Sequence, residues 1–339
     1  MTDSGVGLRV IRSMALVAAS SMALLANSAL AQSTATGRIP PATSPGDSAP
    51  DDETGDIIVT AQKRSERLLD VPAAVTAVSA ETLTNQQITS ALSLDRVSSS
   101  LTVRQGTNPN ASSIRIRGVG TSVFSDGVEP SVSLVIDGVV QARQYQGFED
   151  FSDIERIEVL RGPQGTLFGK NATGGVISIV TKRPGDKLEG SASFTIAEQN
   201  EYRLKGTVSG PIAPGLSASL SGFYSSIGGF IRNTTLGRDI NGYKSYGGRV
   251  KLAWAPASNL NFLLSGSYGK NDAECCSLVY IRADNPDLVR LLGSTVAGPN
   301  NRSTPQNRPY TSNTTQWQTS LEGNLDLGAV TITSITGYQ

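Results

Sequence analysis

FSDIERIEVLRGPQGTLFGKNATGGVISIVTKRP, residues 151–184, is the stretch that decides how this chain folds. Ile154, Ile157, Val159 and Leu160 give it an apolar face, read as a helix-to-strand passage. Arg161-Gly162-Pro163 breaks that passage. Gly165, Gly169, Gly174 and Gly175 then permit tight turns at positive φ, where a Cβ is poorly tolerated. Val176-Ile177-Ser178-Ile179-Val180 predicts a closing strand. A glycine-rich run of this kind invites comparison with a phosphate loop. Neither GxxxxGK[ST] nor GxGxxG occurs here with the strand and helix such a loop needs, so nucleotide binding is set aside.

Working upstream, PSVSLVIDGVV (130–140) alternates at Val132, Leu134 and Ile136, the period of a half-buried strand, and Asp137-Gly138 predicts a hairpin turn. SSIRIRGVG (112–120) alternates Ile114 and Ile116 with Arg115 and Arg117 and stops at Gly118. Between residues 63 and 92, Val71, Ala74, Val75 and Val78 predict a strand after Pro72, and Ser79-Ala80-Glu81 opens a short helix. DIIVTAQ (56–62) is a short β-prone run that suits strand addition to another protein's sheet edge, although many buried edge strands read the same way.

VLRGPQGTLFGKNATGGVISIVTKRP resembles the C-terminal half of the plug domain of TonB-dependent outer-membrane receptors. DIIVTAQKR followed by VPAAVTAVSAETL is similar to that family's TonB box and the start of its plug, and IRIRGVG and VSLVIDGVV are similar to its plug strands. These motifs stand in the family's order across residues 56–184. The resemblance implies a mixed α/β plug lodged in an antiparallel transmembrane β-barrel of about 22 strands. It implies that Asp56, Ile57, Ile58, Val59, Thr60 and Ala61 pair with TonB, energised by the inner-membrane ExbB-ExbD complex. It also marks Arg117, Gly118, Asp137, Gly138, Arg161, Gly162, Pro163, Gly165, Gly169, Gly174 and Gly175 as plug-motif residues, with Arg117 and Arg161 meeting the barrel wall. From the residues alone, each of these arginines reads equally as a surface Arg beside a turn.

Downstream of Pro184 the pattern becomes repeated alternation about ten residues long. Ala192, Phe194 and Ile196 begin it; Tyr202, Leu204 and Val208 follow, then Leu216, Ala218, Leu220 and Tyr224. Tyr246 to Trp254, Leu260 to Tyr268, Trp317 to Leu327 and Val330 to Tyr338 continue it. Apolar residues facing lipid, polar residues facing a lumen and aromatics near strand ends are the signature of membrane strands. Short turns at Pro211–Gly215, Ala255–Asn259 and Asp326–Ala329 alternate with long polar loops at Ser226–Ser245 and Lys270–Gln316. A soluble sandwich explains the alternation but not the segment ahead of it. Seven strands cannot close around a plug, and lipid tolerates no open edge, so the expectation is a fragment or a truncated product. Cys275 and Cys276, adjacent in the second long loop, are either a vicinal disulfide that stiffens the loop or thiols without a role.

The N-terminus reads as an export signal over residues 1–31: Arg9 and Arg12, an apolar run from Met14 to Leu25, and Ala29-Leu30-Ala31 as the cleavage pattern. Residues 32–55, rich in Ser, Thr, Pro, Gly and acid, are a flexible tether. The expected order is therefore signal peptide (1–31), tether (32–55), TonB box (56–62), plug (63–184) and first barrel strands (185–339) in the outer membrane.

Composition narrows the function. Lys plus Arg (29) balances Asp plus Glu (29), so no net field favours nucleic acid, and with no His the commonest general base and metal ligand are gone. No GxSxG nucleophile motif occurs either, so no enzyme, catalytic residue, metal site or cofactor is expected. A porin or adhesin needs no TonB box or plug. A signal-transducing receptor needs a folded domain before the box, and residues 32–55 are too few for one. The expectation is TonB-dependent import of a scarce extracellular ligand. For the family that ligand is by default a ferric siderophore, with cobalamin, carbohydrate or aromatic compounds as alternatives.

Overall fold

The computed structural model describes residues 57–64, 66–86, 88, 91–104, 113–121, 128–144, 153–275, 277–308 and 310–339. All of them fall in one compact unit, Gly55–Gln339. The expected signal peptide and tether, together with Asp56 and Cys276, lie outside the described residues.

The first half is a small α/β domain. A two-stranded hairpin, β1 (Ile58–Val59) with β2 (Glu66–Arg67), leads into β3 (Val75–Ser79) and α1 (Ala80–Asn85). Ser79 caps that helix, its Oγ accepting from Thr82 N at 3.4 Å, as expected of Ser before a helical start. Strands β4 (Leu101–Arg104) and β5 (Ser113–Ile116) pair with each other. β6 (Val132–Ile136), β7 (Val139–Val140), β8 (Ile154–Arg161), α2 (Gly165–Phe168) and β9 (Gly175–Thr181) complete the domain. The main sheet runs β3-β8-β9-β6-β7, with β6 and β9 parallel and the other neighbours antiparallel.

Three local expectations are corrected here. Residues 154–161 form one continuous strand, without a helical entry, because β8 is paired on both edges and the ladder overrides the mixed spacing of its apolar residues. β6 is buried on both faces, Ser133 and Val135 included, as a strand with a parallel neighbour in a covered sheet should be. Gly162, Gly169 and Gly175 have positive φ, but Gly165 starts α2 and neither it nor Gly174 does. Gly174 sits in close quarters, since a Cβ there would lie 3.2 Å from Ser131 O and from the Val119 and Val132 side chains, which would have to give slightly.

The second half is a wall of seven antiparallel strands in the order β10-β11-β12-β15-β16-β18-β19. These are β10 (Glu189–Ala197), β11 (Glu201–Ala213), β12 (Leu216–Ile227), β15 (Tyr243–Ala257), β16 (Leu260–Cys275), β18 (Tyr310–Asp326) and β19 (Thr331–Tyr338). Each coincides with a stretch of expected alternation. One face carries exposed Leu204, Leu220, Val250, Trp254, Leu264 and Leu321, and the other carries Ser221, Lys251, Ser265 and Ser320, buried beneath the α/β domain. That is the lipid-out, polar-in arrangement.

The long loops differ from expectation. β12, β15, β16 and β18 run on to Ile227, Tyr243, Cys275 and Tyr310, so part of each polar stretch is still wall. Both faces of a strand are wet beyond the membrane band, which removes the apolar period that announces it. Inside the loops, β13 (Ile231–Asn233) pairs with β14 (Arg238–Ile240) and, in parallel, with β17 (Ser303–Thr304), while α3 (Pro286–Leu292) packs nearby in the chain. The two outer loops are thus knitted into one small sheet.

Candidate functional site

The site is the seam between the α/β domain and the polar face of the wall. Asp137 and Gly138 make the two-residue turn between β6 and β7, with φ of 46° and 80°, the positive values such a turn requires. The Asp137 carboxylate accepts from Thr181 N (2.8 Å) and Thr181 Oγ1 (2.6 Å), which ties the turn to the end of β9. Lys251, from the middle of β15, completes the group. Its ammonium is 3.1 Å from Asp137 Oδ2 and donates to Thr181 O (3.3 Å), Lys182 O (3.2 Å) and Thr181 Oγ1. Lys251 is 1% exposed, so this charge is fully removed from water. Burial works to raise the Asp137 carboxyl, but Lys251, Arg249 and the Thr181 hydrogen bonds together hold it below the ordinary aspartate range.

Two further ion pairs cross the seam. Arg249, one lumen position along from Lys251, pairs with buried Asp153, which also accepts from Ser221 Oγ at 3.2 Å. Arg183 pairs with Glu322 of β18 at 2.7 Å. Amides close the rest: Gln141 Nε2 donates to Gln318 Oε1 (2.8 Å) and Gln339 Nε2 to Val140 O (3.0 Å). The backbones approach so closely that a Cβ on Gly138 would lie 2.7 Å from Ile335 Cδ1, and one on Gly337 2.7 Å from Val139 Cγ1.

The expected TonB-box residues Ile57–Ala61 are folded against the α/β domain. Val59 and Ala61 are buried beside Val71, Val135, Leu160, Phe168, Ala172 and Val176, whereas Ile57 and Ile58 are exposed. Thr60 donates through both N (2.8 Å) and Oγ1 (3.1 Å) to Glu158 Oε1.

Of the other plug-motif residues, Arg117 stands exposed at a turn with φ 52°, its N–H donating to Ser100 O, and Gly118 follows at φ 79°. Arg161 donates through N (3.0 Å) and Nε (3.3 Å) to Ala74 O, inside the domain. Ion pairs from the α/β domain to the described wall are made by Asp137, Asp153 and Arg183, among others. Gly162 and Pro163 form the break after β8, and Gly169 ends α2. Gly175 is forced twice over, by φ of 146° and by Leu160 O, which would sit 2.4 Å from a Cβ. Cys275 closes β16 opposite Tyr310.

Sequence reasoning passed over Lys251, Arg249, Asp153, Arg183, Glu322 and Glu158. A signal for two of them was present: Arg249 and Lys251 flank Val250 inside an otherwise apolar membrane strand, and charges at such positions face a bundle or lumen interior.

A sheet with one apolar and one polar face, the polar face covered by a separate folded domain, is part of a plugged β-barrel. Residues 67–176 match the family model of the TonB-dependent Receptor Plug Domain. The pesticin receptor of Yersinia pestis is 35% identical over 209 residues, covering 59% of this chain and 30% of that receptor. The ferric enterobactin receptor PirA of Pseudomonas aeruginosa is 34% identical over 157 residues, covering 42% of this chain and 21% of the receptor. Among solved structures, the ferric yersiniabactin uptake receptor FyuA from Yersinia pestis aligns with a TM-score of 0.68 at 27% identity, over 78% of this chain and 40% of that one. Residues 67–176 are thus a plug domain like that of TonB-dependent receptors, and the fold is that of such a plug with part of its barrel. The chain spans less than a third of the length of the pesticin receptor.

Proposed function

We propose that the complete protein imports a scarce ligand across the outer membrane in a TonB-dependent manner, with the plug gating the barrel and a ferric siderophore as the ligand. The observation that carries this reading is the plug seated on the lumen face by the Asp137–Lys251, Asp153–Arg249 and Arg183–Glu322 pairs. A passive pore has no use for such a seated obstruction. The siderophore assignment draws support from relatives named for ferric yersiniabactin and ferric enterobactin. Cobalamin, carbohydrate or another nutrient is the alternative.

In this reading residues 1–31 direct export, 32–55 tether, and Asp56–Ala61 pair with TonB, driven by ExbB-ExbD. Residues 63–184 are the plug and 185–339 the first wall strands. Arg117 and Arg161 interact with the barrel wall, and Cys275 and Cys276 are either a vicinal disulfide that stiffens the loop or thiols without a role. Both thiols found free by mass spectrometry of unreduced protein would remove the disulfide.

The test is uptake of radiolabelled ferric siderophores by cells expressing the complete receptor, with and without functional TonB. Saturable uptake that vanishes without TonB is the expected result. Uptake that persists without TonB overturns the mechanism, and TonB-dependent uptake of cobalamin or a sugar alone overturns the ligand.

A further inference from the structure

Glu158 sits in the middle of β8, paired with Ala77 on one side and Ser178 on the other, and its side chain is fully buried. A buried carboxylate is costly unless its oxygens are occupied. Here one oxygen takes every bond: Oε1 accepts from Arg156 Nε (2.8 Å), Thr60 N (2.8 Å) and Thr60 Oγ1 (3.1 Å). Oε2 is buried with no hydrogen-bond partner among the described residues. Arg156 also donates from Nη2 to Thr60 Oγ1 at 3.3 Å, and it pairs with Glu155.

The segment that Glu158 grips is otherwise weakly held. β1 has two residues, and among the described residues its only ladder partner is the two-residue β2. Isolated two-stranded hairpins are marginal in water. Ile57 and Ile58 are exposed, so apolar docking rests on Val59 and Ala61. What singles out this carboxylate is its charge balance. Arg156 lies two residues away on the same face of the same strand and neutralises Glu158 whether or not Thr60 is present. Thr60 itself carries no charge: it donates to Glu158 through N and Oγ1 and accepts from Arg156 Nη2 through Oγ1. The contact can therefore open without stranding a buried charge, which suits a catch that must let go.

We propose that Glu158, oriented by Arg156, is the catch that holds the Ile57–Ala61 segment folded into the plug, and that loss of its bonds to Thr60 frees the segment. The proposal rests on the reading of this segment as the TonB box for its meaning in transport, but not for its test. Glu158 and Arg156 are positioning residues, since neither touches ligand.

The experiment uses the complete receptor with Cys275→Ser and Cys276→Ser, and Ala61→Cys as reporter. Ala61 is 1% exposed in the folded segment, so a maleimide reaches the reporter only when the segment is released. Labelling rates are compared for the parent, Thr60→Val and Glu158→Gln. Thr60→Val leaves the plug core untouched, which keeps the test valid should Glu158→Gln fold poorly. Thr60→Val removes the two Oγ1 bonds, to Glu158 and from Arg156, and keeps the backbone N–H bond, so labelling should quicken by at least about tenfold. Glu158→Gln, which keeps an acceptor without its charge, should quicken it less. Labelling at the parent rate in Thr60→Val overturns the catch. Binding of purified periplasmic TonB domain is measured on the same proteins. Faster labelling with TonB binding that Ile57→Pro leaves unchanged supports the catch and removes the coupling role instead.

Discussion

Asp137 Oδ2 and Lys251 Nζ lie 3.1 Å apart where the plug's β6–β7 turn meets β15 of the barrel wall. One residue belongs to each domain, Lys251 fully buried and Asp137 partly so, and with the Asp153–Arg249 and Arg183–Glu322 pairs this contact holds the plug in place.

Loss of Lys251 should loosen that seat. Breaking a buried pair by removing one partner typically costs about 3–5 kcal/mol, because the remaining charge stays buried. Thr181 still donates to Asp137, which places Lys251→Met at the lower end, about 3 kcal/mol. Urea unfolding of the plug within the complete receptor checks this. The Asp137→Asn, Lys251→Met double variant should lose less than the sum of the single changes, as coupled neighbours do.

The same pair sets a pH response. Asp137 titrates lower in the folded protein than in the unfolded chain, so its contribution is fully present above the unfolded value and is lost as pH falls through the folded one. The plug's urea midpoint should hold from neutral pH to about 5 and fall only below about 4, the ordinary aspartate range. In Asp137→Asn the acid-side fall should shrink. An equal fall in both proteins would assign the acid sensitivity elsewhere.

Gly138 answers to two constraints at once. Val there must adopt φ of 80° and also displace Ile335. Backbone strain of this kind costs about 1–3 kcal/mol. Adding Ile335→Ala should recover the steric part and leave the backbone part, and urea midpoints of the single and double variants separate the two.

Coupling has its own test. Ile57→Pro removes an N–H that strand pairing with TonB would use, without touching the seam. Ferric-siderophore uptake by the complete receptor should fall to the level of cells lacking TonB, while binding of the ligand to intact cells stays unchanged. Normal uptake would show that another segment couples the receptor to TonB.

Much of the architecture was legible along the chain. The seven wall strands follow from period-two alternation, because a strand between lipid and a wet lumen has one face that must be apolar and one that must not. Asp137-Gly138 follows from turn chemistry alone, since few residues accept two successive positive φ values. The reading failed where a tertiary ladder overruled local spacing, as along Ile154–Arg161, and where both faces of a strand meet water, as at Tyr310–Gln316.

What the sequence by itself determined is the periodic part: which residues form strands, where turns fall, and which family's motifs they carry. Only the tertiary structure decided who meets whom across the lumen. Lys251 and Asp137 are 114 positions apart in numbering, and no local period links a charge on a wall strand to a turn in the plug. Thr60 and Glu158, with a sequence separation of 98, are the same case. Alternation records only that each such side chain faces inward. Its partner is set by how the plug packs against the wall, because a buried charge must find its counter-charge in space and not along the chain.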